Sequence, residues 1–175
     1  FILGDPPNYE PGKEDSIAAL AETKGVSELE VIYDEFLKNE GTNLVYACFT
    51  PYDNHKLDFV ERAYSLKSSV AGGSDGGAHC GLICDASMPT TNLSHWARDR
   101  EAGKKIPIEL IVRKQTKDTA ETYGLFDRGE IKTGMMADLN IIDFENLNVT
   151  HPKMVYDLPM GGRLSLIHIS EPTRL

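Results

Sequence analysis

Cysteine is scarce in this chain. Cys48, Cys80 and Cys84 stand among 175 residues, an odd number and too few for a disulfide framework. Cys80 and Cys84 form C-x-x-x-C, one residue longer than the redox pair C-x-x-C, and no second pair completes a structural zinc site. Both read as small buried side chains. A reducing, cytoplasmic compartment fits this usage. Basic residues are also in deficit. Eighteen Lys and Arg against 27 Asp and Glu leave a net charge of −9, which argues against a nucleic-acid partner. No apolar run reaches the ~18 residues of a membrane span. The chain opens on Phe1 without the charged and apolar regions of a signal peptide. Repeats and low-complexity tracts are missing. Among five histidines, His55, His79, His95, His151 and His168, no two are separated by a single residue. What remains is an acidic chain of about one domain's length, whose charge does not exclude a small-molecule anionic substrate, since a few placed basic residues can bind one.

What is present is an alternation of helix and strand patterns. Apolar spacing predicts a helix over 15–24 with Gly25 as its stop. Ser27-Glu28-Leu29-Glu30 is a capping-box signature that opens a second helix to about Asn39. NLVYACF, 43–49, reads as a buried strand. Asp53 then caps a predicted helix through Leu66, and SSVAG, 68–72, reads as another strand. Past a glycine-rich segment, helices are predicted over 92–102 and over 107–123, the latter broken near Thr116. ADLNIIDF, 137–144, reads as a strand, and 149–158 holds another. Alternating short strands and helices predict an α/β fold with a parallel sheet or a βα barrel, followed by a small β domain.

The chemistry concentrates in GGSDGGAHCGLICD, 72–85. Its first five residues satisfy G-x-S-x-G, the pattern of a serine nucleophile elbow at Ser74. That elbow needs a helix directly after the serine, and Gly77, Gly81 and Pro89 predict a loop instead. Asp75 follows a predicted strand at its C-terminal end, where βα barrels keep catalytic groups. Flanking glycines allow positive φ or close backbone approach. A carboxylate there can bind a divalent metal or take a proton from water. An Asx-turn within the loop explains the same residue equally well. His79 is read first as a hydrogen-bonding structural histidine and second as a group near substrate. Asp85 caps or turns the loop, and His95 and Trp96 read as packing residues.

GGSDGGAHCGLICDASMPT followed by LSHWARDR resembles the metal-dependent N-acyl-D-amino-acid deacylases, or D-aminoacylases, of the amidohydrolase superfamily. IPIELIVRKQTKDTAETYGLFDRGEIKTGMMADLNIIDF is similar to that family's closing segment, and HPKMVYDLPMGGR to the piece after it. The resemblance covers residues 1–163. It implies the C-terminal part of a TIM-like (βα)8 barrel over 1–125 and part of a β-sandwich domain over 126–163. It implies hydrolysis of an N-acyl-D-amino acid with one or two zinc ions that activate water and polarise the carbonyl. Asp75 falls on the family's proton-transferring aspartate and is a possible metal ligand. Gly76, Gly77 and His79 fall in the same motif, near substrate.

The family's H-x-H pair and its further metal ligands have no counterpart here. The resemblance therefore implies a C-terminal piece, inactive alone, whose partner is the N-terminal half of its own barrel. Other readings are a cyclic amidase or another amidohydrolase using the same Asp75, a serine hydrolase using Ser74, or a non-catalytic binding domain. LSLIHISEPTR, Leu164 to Arg174, resembles the translation of a transposon-based sequencing-library adaptor. Residues 164–175 are accordingly set apart as a non-native tail, and His168 receives no role.

Overall fold

Ser16 and Ser27 start the first two helices in the same way. Each has an extended backbone, and each Oγ accepts the N–H three residues on, from Ala19 at 3.1 Å and Glu30 at 3.2 Å. A first-turn donor that the helix cannot satisfy is thereby paired. The helices are α1, Ile17–Lys24, and α2, Glu28–Leu37. Gly25 closes α1 at φ 68° and donates back to Ala21, the left-handed stop that glycine adopts without strain.

These helices belong to a computed structural model that describes residues 1–4, 6–48, 52–73, 87–150 and 153–166. The chain divides into two compact units, Phe1–Phe59 and Val60–Leu175. In the first, α1 packs against α2, and Leu3, Ala21 and Val31 are buried. Glu35 is buried beside them, with Lys38 Nζ at 2.7 Å and Asn43 Nδ2 at 2.6 Å. Burial works against its charge, but Lys38 and Asn43 together hold its carboxyl below the usual range.

Over 43–48, the described part of the strand expected at 43–49, pairing amounts to one antiparallel bridge between Ile2 and Val45. The Phe1 ammonium and carbonyl pair with Tyr46, and Leu3 N–H with Leu44. Asp53 does not cap a helix. Asp53 and Lys56 exchange two backbone hydrogen bonds of 2.9 Å around Asn54 and His55, which have φ of 47° and 64°. Two positive φ values in sequence make a tight hairpin-type turn, so α3 begins only at Asp58 and ends at Tyr64.

In the second unit, α4, Met88–Thr91, has Pro89 in its first turn and runs straight into a π-helical stretch, Asn92–Asp99. After a loop come α5, Ile108–Gln115, and α6, Lys117–Thr122. The break expected near Thr116 is present, at φ −117° and ψ −86°. Trp96, Ile106, Ile111, Ala120 and Val149 are buried. Gly129 is required where it stands. Its φ is 89°, and a Cβ there would lie 2.7 Å from Lys117 Cα. Strands β1, Lys153–Leu158, and β2, Gly162–Leu166, form an antiparallel hairpin.

The expected barrel piece and β-sandwich are not what the described residues form. Helices carry most of the regular backbone, and strand pairing is confined to that hairpin and two isolated bridges. No parallel pair occurs among the described residues. The physical reason is visible in the hydrogen bonds. A strand persists only where a neighbour takes its N–H and C=O groups. Residues 66–71 give carbonyls to side chains of α5 and α6 instead. Residues 137–143 have no ladder partner among the described residues, and Leu139 and Ile141 are exposed.

Candidate functional site

Ser74, Asp75, Gly76, Gly77, His79, Cys80, Cys84 and Asp85 lie outside the described residues, as do His151 and His168. What the structure gives is the frame on both sides of 74–86.

On the near side, α3 ends and the backbone runs through Leu66, Ser69 and Ala71 to Gly72 and Gly73. Neither of these two glycines has positive φ, and a Cβ on either would meet nothing within 4 Å among the described residues. The conformational freedom expected of flanking glycines is thus not used at Gly72 or Gly73. The segment is held from the other side. Lys114, on α5, is 3% exposed. Its Nζ donates to the carbonyls of Leu66 at 2.7 Å and Ser69 at 2.5 Å, and lies 3.6 Å from Asp118 Oδ2. Thr119, on α6, donates to the Lys114 carbonyl at 2.7 Å and reaches the Ala71 carbonyl at 3.3 Å. Asp118 also accepts from Arg113 Nε at 2.8 Å. That hydrogen bond, helped by the nearby Lys114 charge, holds its carboxyl below the usual range.

On the far side, Ser87 is buried and α4 leads into the π-helical stretch. Helices with this wider turn are rare and recur at functional sites. Here it brings Asn92, Ser94 and Trp96 into the interior. The Asn92 amide nitrogen is the one buried side-chain donor without a partner among the described residues. Arg100, 1% exposed, lays its guanidinium over the Trp96 ring at 4.7 Å and donates to the Lys104 carbonyl at 2.7 Å. His95 meets the edge of Trp96, with ring centroids 5.4 Å apart. Trp96 therefore packs as its sequence context suggested. Arg98 has a different task. It pairs with Asp99 and donates to the carbonyls of Phe144, Glu145 and Leu147.

His55 is remote from this frame in sequence and sits in the first unit, its ring edge-on to Phe1 at 5.7 Å. Among the described residues, no group of three or more His, Cys, Asp or Glu side chains could hold a metal ion. These residues therefore do not by themselves fit the zinc that the resemblance implies. No helix among them is long and apolar enough to cross a membrane.

Sequence reading missed Lys114, Thr119 and Arg100. A signal for Lys114 exists: it lies three residues after Ile111, on the buried face of α5. A charge on an apolar helical face asks for a partner.

Against this geometry, the sequence model of the amidohydrolase family matches residues 12–167, and the chain belongs to that family. Membership places it among hydrolases. Comparison with curated proteins and with solved structures gave no match.

Proposed function

We propose that the chain is part of an enzyme that hydrolyses the amide bond of N-acyl-D-amino acids, giving a carboxylate and a free D-amino acid. One observation carries the reading. SDGGAH, LSHWARDR and GMMADL follow in order within the span that matches the amidohydrolase family. Water attacks the acyl carbonyl and the C–N bond breaks. Asp75 takes the proton that water gives up and returns it to the leaving nitrogen, the work of a general base that becomes a general acid. Gly76, Gly77 and His79 border the substrate.

Zinc, one or two ions, belongs to the proposal for the whole enzyme. Since the described residues offer no site for it, its ligands lie among other residues.

The test uses enzyme produced from the full reading frame that contains this chain. It is given matched N-acyl-D- and N-acyl-L-amino acids and a cyclic amide, and amine release and bound metal are measured. The proposal expects turnover of the D-substrate and bound zinc. Turnover of the cyclic amide with none of the D-substrate contradicts the substrate assignment. A fully active, metal-free preparation contradicts the zinc.

A further inference from the structure

One side of α2 is packed and the other is bare. Val31 and Glu35 are its buried residues. At about 100° per residue, Leu29, Tyr33, Phe36 and Leu37 fall on the opposite side, within about 100° of arc. They are 77%, 63%, 46% and 61% exposed. Their spacing of three and four residues makes them neighbours in one stripe. Single exposed apolar residues are ordinary, but a contiguous apolar patch with a polar border marks an interaction surface.

The border of this stripe has one sign of charge. Glu30 and Asp34 follow it on one side and Glu28 on the other. All three are exposed, and none enters an ion pair among the described residues. From Gly25 to Leu37 the chain carries no Lys, Arg or His. Lys38, the next base, gives its ammonium to the buried Glu35 at 2.7 Å. The negative border therefore selects what can cover the stripe. A second copy laid α2 on α2 would set acid against acid, and like charges facing each other cost affinity. Anionic lipid headgroups and nucleic-acid phosphates meet the same repulsion.

We propose that this face of α2 docks a partner protein through a basic amphipathic helix. Apolar side chains of that helix cover Leu29, Tyr33, Phe36 and Leu37, and its lysines or arginines pair with Glu28, Glu30 and Asp34. Recognition of an amphipathic helix by anchors at three- and four-residue spacing is a recurring mode. Tyr33 stands in the middle of the stripe, where an aromatic side chain contributes most to binding. Docking here uses none of the residues assigned to the hydrolysis.

The test titrates protein from the full reading frame into a fluorescent helical peptide of leucine and lysine, with leucine along one face. Binding is read by anisotropy. A peptide with glutamate in place of lysine and a scrambled peptide of the same composition are run beside it, and circular dichroism checks that each protein variant is folded. The ordered leucine–lysine peptide is expected to bind in the micromolar range and to weaken as salt rises. The other two are expected to bind at least about 10-fold more weakly, and Tyr33→Ser to raise Kd by about 10-fold or more. Glu30→Lys combined with Asp34→Lys is expected to do the same and to turn preference toward the glutamate peptide. Should Tyr33→Ser fail to fold, the charge-reversed pair decides. Absence of binding to folded wild type, the result if the rest of the polypeptide already covers the stripe, overturns the inference. So does equal binding by wild type and Tyr33→Ser, because attraction to an acidic protein at large needs no stripe. A wild-type dimer in sedimentation that Tyr33→Ser dissociates overturns it in favour of a second copy.

Discussion

Arg100 shows how one residue can hold a turn. Its guanidinium lies on Trp96 and caps the Lys104 carbonyl, and Ile106 N–H closes onto the Trp96 carbonyl at 2.9 Å. The loop from Asp99 to Ile106 is thus folded back over the π-helical stretch. A desolvated cation–π contact and a charged hydrogen bond together are worth about 3 kcal/mol. Arg100→Ala is expected to lower unfolding free energy by about that amount, measured by urea denaturation. Arg100→Lys should recover only part, since an ammonium has neither the planar stack nor the fork of donors. A loss below about 0.5 kcal/mol, the scale of an ordinary surface substitution, would show the stack to be idle. The sequence could not have named this residue, because an arginine in WARDREAGKK reads as one more surface charge. Its burial depends on a chain reversal that no local pattern announces.

At the scale of elements, caps and stops were legible and sheets were not. Ser27, Gly25, Gly124 and the break at Thr116 are local chemistry, satisfied within four residues of themselves, and each lies where the pattern put it. Asp53 misled because an aspartate serves a turn as well as a cap, and Asn54 and His55 decide for the turn. SSVAG and ADLNIIDF carry strand composition, but a strand needs a neighbour, and neighbours are a long-range matter. The α5–α6 junction also has a pH signature. Asp118 is paired with Arg113 and lies near Lys114, which lowers its carboxyl from the usual value. A carboxyl depressed on folding contributes stability that is present above its unfolded value of about 4 and is lost as pH falls through the folded value. The thermal midpoint should therefore decline as pH drops below about 4. Asp118→Asn should lower the midpoint at pH 7 and flatten that decline. An unchanged acid profile in the variant would remove Asp118 from this role.

At the scale of the molecule, apolar surface is unevenly covered. Leu29, Tyr33, Phe36 and Leu37 lie exposed along α2 at positions that share one helical side. Ile131, Leu139 and Ile141 are exposed in the second unit. Family membership was legible from the motifs that flank the helices, and the match over residues 12–167 agrees with that. The substrate was not, since a substrate pocket is a matter of shape assembled from separated segments. Nor was the metal, for no described cluster carries one. The motif points most sharply to Asp75. The most direct measurement is kcat of Asp75→Asn beside wild type, in enzyme from the full reading frame, on an N-acyl-D-amino acid, with folding checked by circular dichroism. A folded variant whose kcat falls by about 10²- to 10⁴-fold is the result predicted for the loss of a general base and acid. A folded variant with undiminished kcat would contradict the account.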